Sequence, residues 1–556
     1  MRKLAVVAIV LLASISGVTA AGSKKDWATC ASLEDAEAAI SACTRILDFG
    51  KETKANRAIA IYNRGTAKYR KDDFAGAIED LTQALKFDEN YANAYYNRAL
   101  AYSRSGSQDA AIGDYDAYER LQPGNADTSY DRALAFFRKN DIDGAIAGYD
   151  EALRRNADYA NALYNRGLIY RDRAQYDAAI ADFDHYLRLK PEEADAYNAR
   201  GYSHRLKFSY DAALSDYNEA LKRNAASALT LYNRADIFNI RGQYDAMLAD
   251  SSEAVRIEPN VGEYRYFRGL AYLLKQDYRS AIADSNESIR LSPQLKEPYR
   301  VRGLAYAHLG DRNQAIADLD TAVNLAPQDP WTLSERGDMF TALGDFQAAL
   351  VAYDEALKFH ATLIVAHTGR CNALYQQDRF IEALVNCTKA VESDPSISLS
   401  QANLGWTYLR VGQAQLAVTP FDEAVRLNPK NAEALVGRGI MRMQQNDFAA
   451  ALADAEAAIS TDPQLVTAVS LRGEVREKLG LNDDALADFR RSFSLTPRAG
   501  DRDDREAQRR AQQGIERLGG GIVASTNSGA TTNAAASGGG AVTLLDPGST
   551  TTTPVE

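Results

Sequence analysis

Cysteine, histidine and tryptophan are scarce, at four, five and three residues in a chain of 556. The histidines (His185, His204, His308, His360 and His367) are scattered, and none makes a ligand cluster with cysteines or carboxylates, so no metal or other cofactor is expected. No nucleophile elbow, phosphate-cradling glycine loop or HExxH segment occurs, which argues against an enzyme. Basic residues do not dominate: 64 Lys and Arg face 75 Asp and Glu, for a formal net charge of -11. The chain therefore has no general basic field for nucleic acid. Long apolar runs are absent beyond the N-terminus, so no segment of the mature chain is expected to span a membrane.

The N-terminus is the exception. Arg2 and Lys3 precede an apolar run from Leu4 to Leu12, and small residues follow, ending in Val18-Thr19-Ala20-Ala21. This is the three-part pattern of a cleavable secretory signal over residues 1–20. The run is shorter than the roughly 20 residues a spanning helix needs. No cysteine follows it at the place a bacterial lipid anchor requires. For a bacterial source the expected location is periplasmic or secreted.

From residue 58 onward the composition hardly changes and a period emerges. Arg64, Arg98, Arg132, Arg166, Arg200, Arg234, Arg268, Arg302, Arg336, Arg370, Arg438 and Arg472 are spaced by 34, apart from one gap of 68 centred on Leu404. Thirteen repeats thus fill residues 58–499 without insertion or deletion. Counting from Ala58, the eighth position is always small (Gly65, Ala99, Ala133, Gly167 and onward to Gly473), and the twentieth is Ala except at Met247. Only such side chains let two helices approach closely. Polar breaks such as Arg104-Ser105-Gly106-Ser107 separate the two positions, and Pro commonly stands at position thirty-two, as at Pro123, Pro191 and Pro259. Each unit reads as helix, turn, helix, turn.

With aromatics often at eleven (Tyr102, Tyr170, Tyr272) or twenty-four (Tyr115, Tyr149, Phe183), this frame closely resembles the tetratricopeptide repeat family over about four-fifths of the chain. The resemblance implies an all-α fold, a right-handed α-solenoid superhelix of helix-turn-helix units with a concave inner face. Capping helices are expected at 21–57 and 500–518, and a Gly/Ser/Thr/Ala-rich disordered tail at 519–556. Cys30 with Cys43, and Cys371 with Cys387, fall where each pair would staple the helices of one unit as disulfides.

Arg at position seven and Asp at twenty-three (Asp80, Asp114, Asp182, Asp216, Asp250, Asp284, Asp318, Asp454 and Asp488) lie beside packing faces and read as structural ion pairs. The repeat that lacks the Arg, at Leu404, also lacks the Asp and carries Pro420 there. The candidate binding residues lie at positions five and six: Tyr62, Asn63, Tyr96, Asn97, Tyr130, Tyr164, Asn165, Tyr232, Asn233 and Tyr266. Tyrosine offers a flat apolar face with a polar tip, and asparagine one donor and one acceptor for a backbone amide. The Asn ladder is similar to that of the repeat domain of protein O-linked N-acetylglucosamine transferases, which implies holding an extended peptide by its backbone. The chaperone-type carboxylate clamp, with Lys at five and Asn at nine, is not supported, because Tyr and usually Leu stand there. The expected function is a non-enzymatic scaffold holding an extended segment of a protein partner. A polysaccharide-binding or export-associated module is the alternative, and mutual satisfaction of these Tyr and Asn residues by each other is the structural one.

Overall fold

The computed structural model describes residues 24–519 apart from 33 and 499. The expected signal segment and nearly all of the expected tail lie outside the described residues. Among these residues the chain forms twenty-nine α-helices and no strand. They pack as two units, one within Met1–Asn233 and one within Arg234–Leu545. Each is an α-solenoid of helix pairs in which the first helices of successive repeats lie against each other, as do each second helix and the next first helix.

The second repeat shows why the units close. Helix α5 (Ala92–Arg104) ends at Gly106, with φ +87, and α6 (Gln108–Leu121) begins directly after it. The corresponding position is left-handed in all thirteen repeats. Six use Gly, and seven use Asp72, Asn140, Ala174, Phe208, Gln276, Asp378 and Asn446. The strain of a non-glycine there is offset by closure of the turn: in the first repeat the Asp72 and Asp73 amides donate to the Tyr69 and Lys68 carbonyls. Aspartates then cap several second helices, as Asp73 accepts from the Gly76 amide and Asp311 from the Gln314 amide.

All nine expected Arg–Asp pairs form. In each, Nε and Nη2 of the arginine grip both oxygens of an aspartate sixteen residues later, as in Arg64–Asp80 (2.8 and 2.7 Å) and Arg200–Asp216 (2.9 and 2.6 Å). Several arginines also reach back to the second helix of the preceding repeat, as Arg166 does to Asp150 and Arg200 to Asp184. One guanidinium therefore ties three helices. Arg132 and Arg370, whose own repeats lack the aspartate, keep only the backward bond, to Asp116 and Asp354.

At the N-terminus, α1 (Lys24–Ala31) and α2 (Ala36–Asp48) form a shortened leading unit joined by the Cys30–Cys43 disulfide and packed on α3 (Lys54–Arg70). Helix α3 thus begins four residues ahead of the expected repeat start, with Thr53 as its cap accepting from the Asn56 amide. The second disulfide, Cys371–Cys387, staples α21 (Ile364–Gln376) to α22 (Phe380–Ser393). Loops of this size contribute roughly 3 kcal/mol each in the chain-entropy model. The last helix, α29 (Arg502–Arg517), is capped by Asp501 and buries Ala511 and Ile515 against Phe489 of α28 (Asn482–Ser494).

Candidate protein-binding faces

The expected groove residues are mostly not available to a ligand. Tyr62, Tyr96, Tyr130, Asn97, Asn165 and Asn233 are all buried, and Asn63, Tyr164, Tyr232 and Tyr266 are half-buried. The reason is a register. The Asn97 amide donates to the Tyr62 hydroxyl (3.0 Å), the Tyr96 hydroxyl donates to Asp131, the Asn165 amide donates to the Tyr130 hydroxyl (3.1 Å), and the Asn233 amide donates to Asn198 (3.0 Å). Each bond joins position five of one repeat to position six of the next, 35 residues on. Asn97 is satisfied further by Thr66 (2.9 Å). The tyrosine rings are covered as well: Tyr62 packs on Tyr91 (4.7 Å between centroids), Tyr96 on Tyr118 (5.3 Å), Tyr130 on Tyr159 (5.1 Å) and Tyr164 on Tyr186 (5.2 Å). Buried polar groups must be paired, and here they pair with each other across repeat junctions. In the C-terminal unit the same slot holds the buried ion pair Arg300–Glu335, again 35 apart. The ladder is thus an inter-repeat seam.

Asp131 is the one acid in that seam within the N-terminal unit. Burial pushes its carboxyl up to about 7, against partial relief from the Tyr96 hydroxyl and Arg138, with Asp127 adding repulsion. The protonated form is favoured in the folded state, so its stabilisation is fully present below about pH 4 and is lost as pH rises through about 7. Asp131→Asn keeps a polar group of the kind found at Asn97 and Asn165. The variant should gain on the parent between about pH 5 and pH 8, read as a difference in melting temperature that widens with pH. A constant difference would show that Asp131 ionises as it does in the unfolded chain.

A different face receives a peptide segment in the C-terminal unit. The N-terminal half of α29 and the residues before it reach far beyond the last repeat. The Tyr375 hydroxyl donates to Asp503 (2.9 Å), Arg410 grips Asp503 and Glu506 (2.8 Å to the latter), and the Arg502 amide donates to the Gln376 side chain (3.0 Å). Arg502 pairs with Asp378, Arg498 with Glu433 and Asp504, and Gly500 lies close against Gly344 and Phe346. Further along, Ser470 donates to the Ala507 carbonyl, Arg510 to Glu474 and Arg517 to Glu477. The partners Glu433, Ser470, Glu474, Tyr375, Glu477, Gln376 and Arg410 occupy positions two, five, nine, twelve and thirteen of their repeats. They form the stripe of the first helices that this segment covers, with Tyr375 and Ser470 buried and the others half-buried beneath it.

The sequence frame expects a capping helix over 500–518 but does not reveal this reach, which links residues 128 apart. The acid-rich turn Asp501 to Glu506 and the arginine at Arg410 were the available signals, but a repeat frame carries no information on how far a terminal segment extends.

The repeat geometry agrees with family models. The TPR repeat model matches residues 65–106, and tetratricopeptide repeat models match 130–194, 168–228, 269–332, 402–466 and 441–499. The chain belongs to the tetratricopeptide repeat family. Among relatives, the human Tetratricopeptide repeat protein 6 is 29% identical over 26% of this chain and 28% of its own length. The human Mitochondrial import receptor subunit TOM70 is 28% identical over 22% of this chain and 21% of its own. The chain therefore spans about a quarter of the length of the relatives it matches. A crystal structure of the APC/C hetero-tetramer Cut9-Hcn1 aligns at 16% identity and a TM-score of 0.46, covering 86% of this chain and 93% of that one. Tetratricopeptide repeats serve as protein–protein interaction scaffolds, and this is the coarse function of the chain.

Proposed function

We propose that this tetratricopeptide repeat protein is an exported, non-enzymatic scaffold that holds a segment of a protein partner against the stripe of its first helices that α29 covers in the C-terminal unit. The seating of Arg498–Arg517 on that stripe in the C-terminal unit carries the reading. It is an example, within the chain, of a peptide segment received by side chains at positions two, five, nine, twelve and thirteen. Export is supported by the basic-apolar-small pattern of residues 1–20 and by two disulfides, which persist in oxidising compartments. For a bacterial source the compartment is the periplasm or the exterior. The polysaccharide alternative drew on open tyrosine faces, and Tyr62, Tyr96 and Tyr130 are instead buried against neighbouring rings.

The test is site-specific photo-crosslinking in the source cells, with fractionation and N-terminal sequencing of the product. A crosslinking side chain at Asp195, exposed on a first helix, should yield a discrete protein adduct, and one at Arg120, exposed on a second helix, should not. Equal adducts from both sites, or none from Asp195, would overturn the first-helix reading. A product retained in the cytosol with residues 1–20 intact would overturn export.

A further inference from the structure

In the C-terminal unit, the device that holds a carboxylate can be stated by register. Tyr375 stands at position twelve of the tenth repeat and Arg410 at position thirteen of the eleventh, 35 residues on. The Arg410 Nε donates to the Tyr375 hydroxyl (3.0 Å), which fixes the guanidinium. The hydroxyl proton and the outer Nη2 then converge on Asp503, and Nη2 also takes Glu506. The position-twelve hydroxyl orients the arginine, and the arginine binds the acid.

The same couple occurs twice in succession in the N-terminal unit. Tyr69 and Arg104 occupy positions twelve and thirteen of the first and second repeats, and Arg104 is hydrogen-bonded to the Tyr69 hydroxyl. Ser103 and Arg138 occupy the same positions one repeat on, with Arg138 Nη1 donating to Ser103 Oγ at 2.7 Å. Tyr69 and Ser103 are buried, whereas Arg104 and Arg138 are exposed to solvent. Arg70 adds a third exposed guanidinium at position thirteen of the first repeat. The acid set among them is the half-buried Asp131, whose carboxyl is held partly protonated near neutral pH by its burial.

We infer that Tyr69–Arg104 and Ser103–Arg138 form a tandem carboxylate-binding site for an acidic segment of a partner protein. It deepens the proposal above by naming the chemistry of the segment. The site differs from a chaperone-type clamp, since positions five and nine of these repeats, including Tyr62, Tyr96, Thr66 and Leu100, are buried and contribute nothing to it. Adjacent packed helices lie roughly 8–10 Å apart, so two acids must be presented at about that spacing. An extended polyproline-type segment does so with carboxylates three residues apart, because it rises about 3.1 Å per residue and repeats every three.

The probe is a fluorescein-labelled (Pro-Pro-Glu)4 peptide titrated into the full mature chain at low salt, with (Pro-Pro-Gln)4 as its neutral counterpart. The glutamate peptide should bind at least tenfold more tightly than the glutamine one. Arg104→Gln/Arg138→Gln should weaken its binding at least tenfold, and Arg120→Gln, on a second helix, should not. Tyr69→Phe, which keeps the ring and removes only the orienting hydroxyl, should weaken it several-fold. That variant decides the matter if circular dichroism shows the double variant to have lost helix. Equal binding of the two peptides, no binding of either, or binding indifferent to Arg104, Arg138 and Tyr69 would overturn the inference. An adduct at Asp195 alongside such a result would leave the scaffold reading standing and refute only the acidic specificity.

Discussion

Asp318→Ala should destabilise the eighth repeat by about 3 kcal/mol, and adding Arg302→Leu should recover most of the loss. Asp318 is buried on α18 (Arg312–Leu325), and its two oxygens take Nε and Nη2 of Arg302, on α17 (Glu297–His308), at 2.8 and 2.6 Å. Removing one partner leaves a largely buried guanidinium with the Asn286 side chain and the Tyr299 ring beside it but no carboxylate in its grip. Breaking a buried pair costs about 3–5 kcal/mol, and the partial exposure of Arg302 sets the low end of that range. Removing both charges is different, because an apolar residue of similar volume can replace a buried pair at little cost. The chain contains that experiment already. Leu404 stands at the arginine position of the eleventh repeat and is buried, with Pro420 in place of the aspartate on α24 (Ala414–Leu427). Stability in a repeat array is mainly nearest-neighbour, so the change should appear as lost amide-exchange protection in α17, α18 and the adjoining helices. Protection unchanged in Asp318→Ala, or a double variant no better than the single, would show that the pair is not a structural clamp.

The second large effect is steric. Gly437→Ala, on α25 (Ala432–Gln444), should cost about 2–3 kcal/mol, and Phe421→Leu should restore most of it. A Cβ at position 437 would stand 2.2 Å from Cε1 of the Phe421 ring, far inside van der Waals contact. The ring is held from the other side by Gly405, where a Cβ would lie 2.8 Å away, so it cannot retreat. Overpacking of a closed core typically costs about 1–3 kcal/mol. The same arrangement recurs with Tyr353 between Gly337 and Gly369, and with Phe489 between Gly473 and Gly514. Leucine is the natural alternative at that position, as at Leu81 and Leu319, where Asn97 and Glu335 stand at the place of Gly437. An alanine variant as stable as the parent would mean the ring has room that this geometry denies it.

These two cases show what was legible in advance and why. The Arg–Asp pairing was readable because the Arg recurs in twelve of the thirteen periods and the Asp in nine, on faces that meet within one helix pair. Small residues at position eight were readable for the same reason. The paired glycines at 405 and 437 were not, since the second belongs to the next repeat and its role depends on the angle at which that repeat stacks. Positions five and six failed in the instructive direction. Tyr62 and Asn97 carry the chemistry of a peptide-binding surface, and that chemistry serves equally well to close a seam between repeats. A one-residue offset on a 34-residue period, the spacing of 35, distinguishes a partner in the next repeat from a ligand, and it is visible only once the stacking is known.

By itself, the sequence determined the 34-residue helical repeat, the disulfide partners and the Arg–Asp pairing inside each unit. All of these depend on contacts between residues close along the chain, where spacing translates directly into geometry. The tertiary structure alone decided which polar side chains remain exposed, and it brought Asp503 and Glu506 to Tyr375 and Arg410. Burial and long-range contact depend on how successive units rotate against one another. That rotation is set by the summed packing of many side chains and leaves no periodic trace to read.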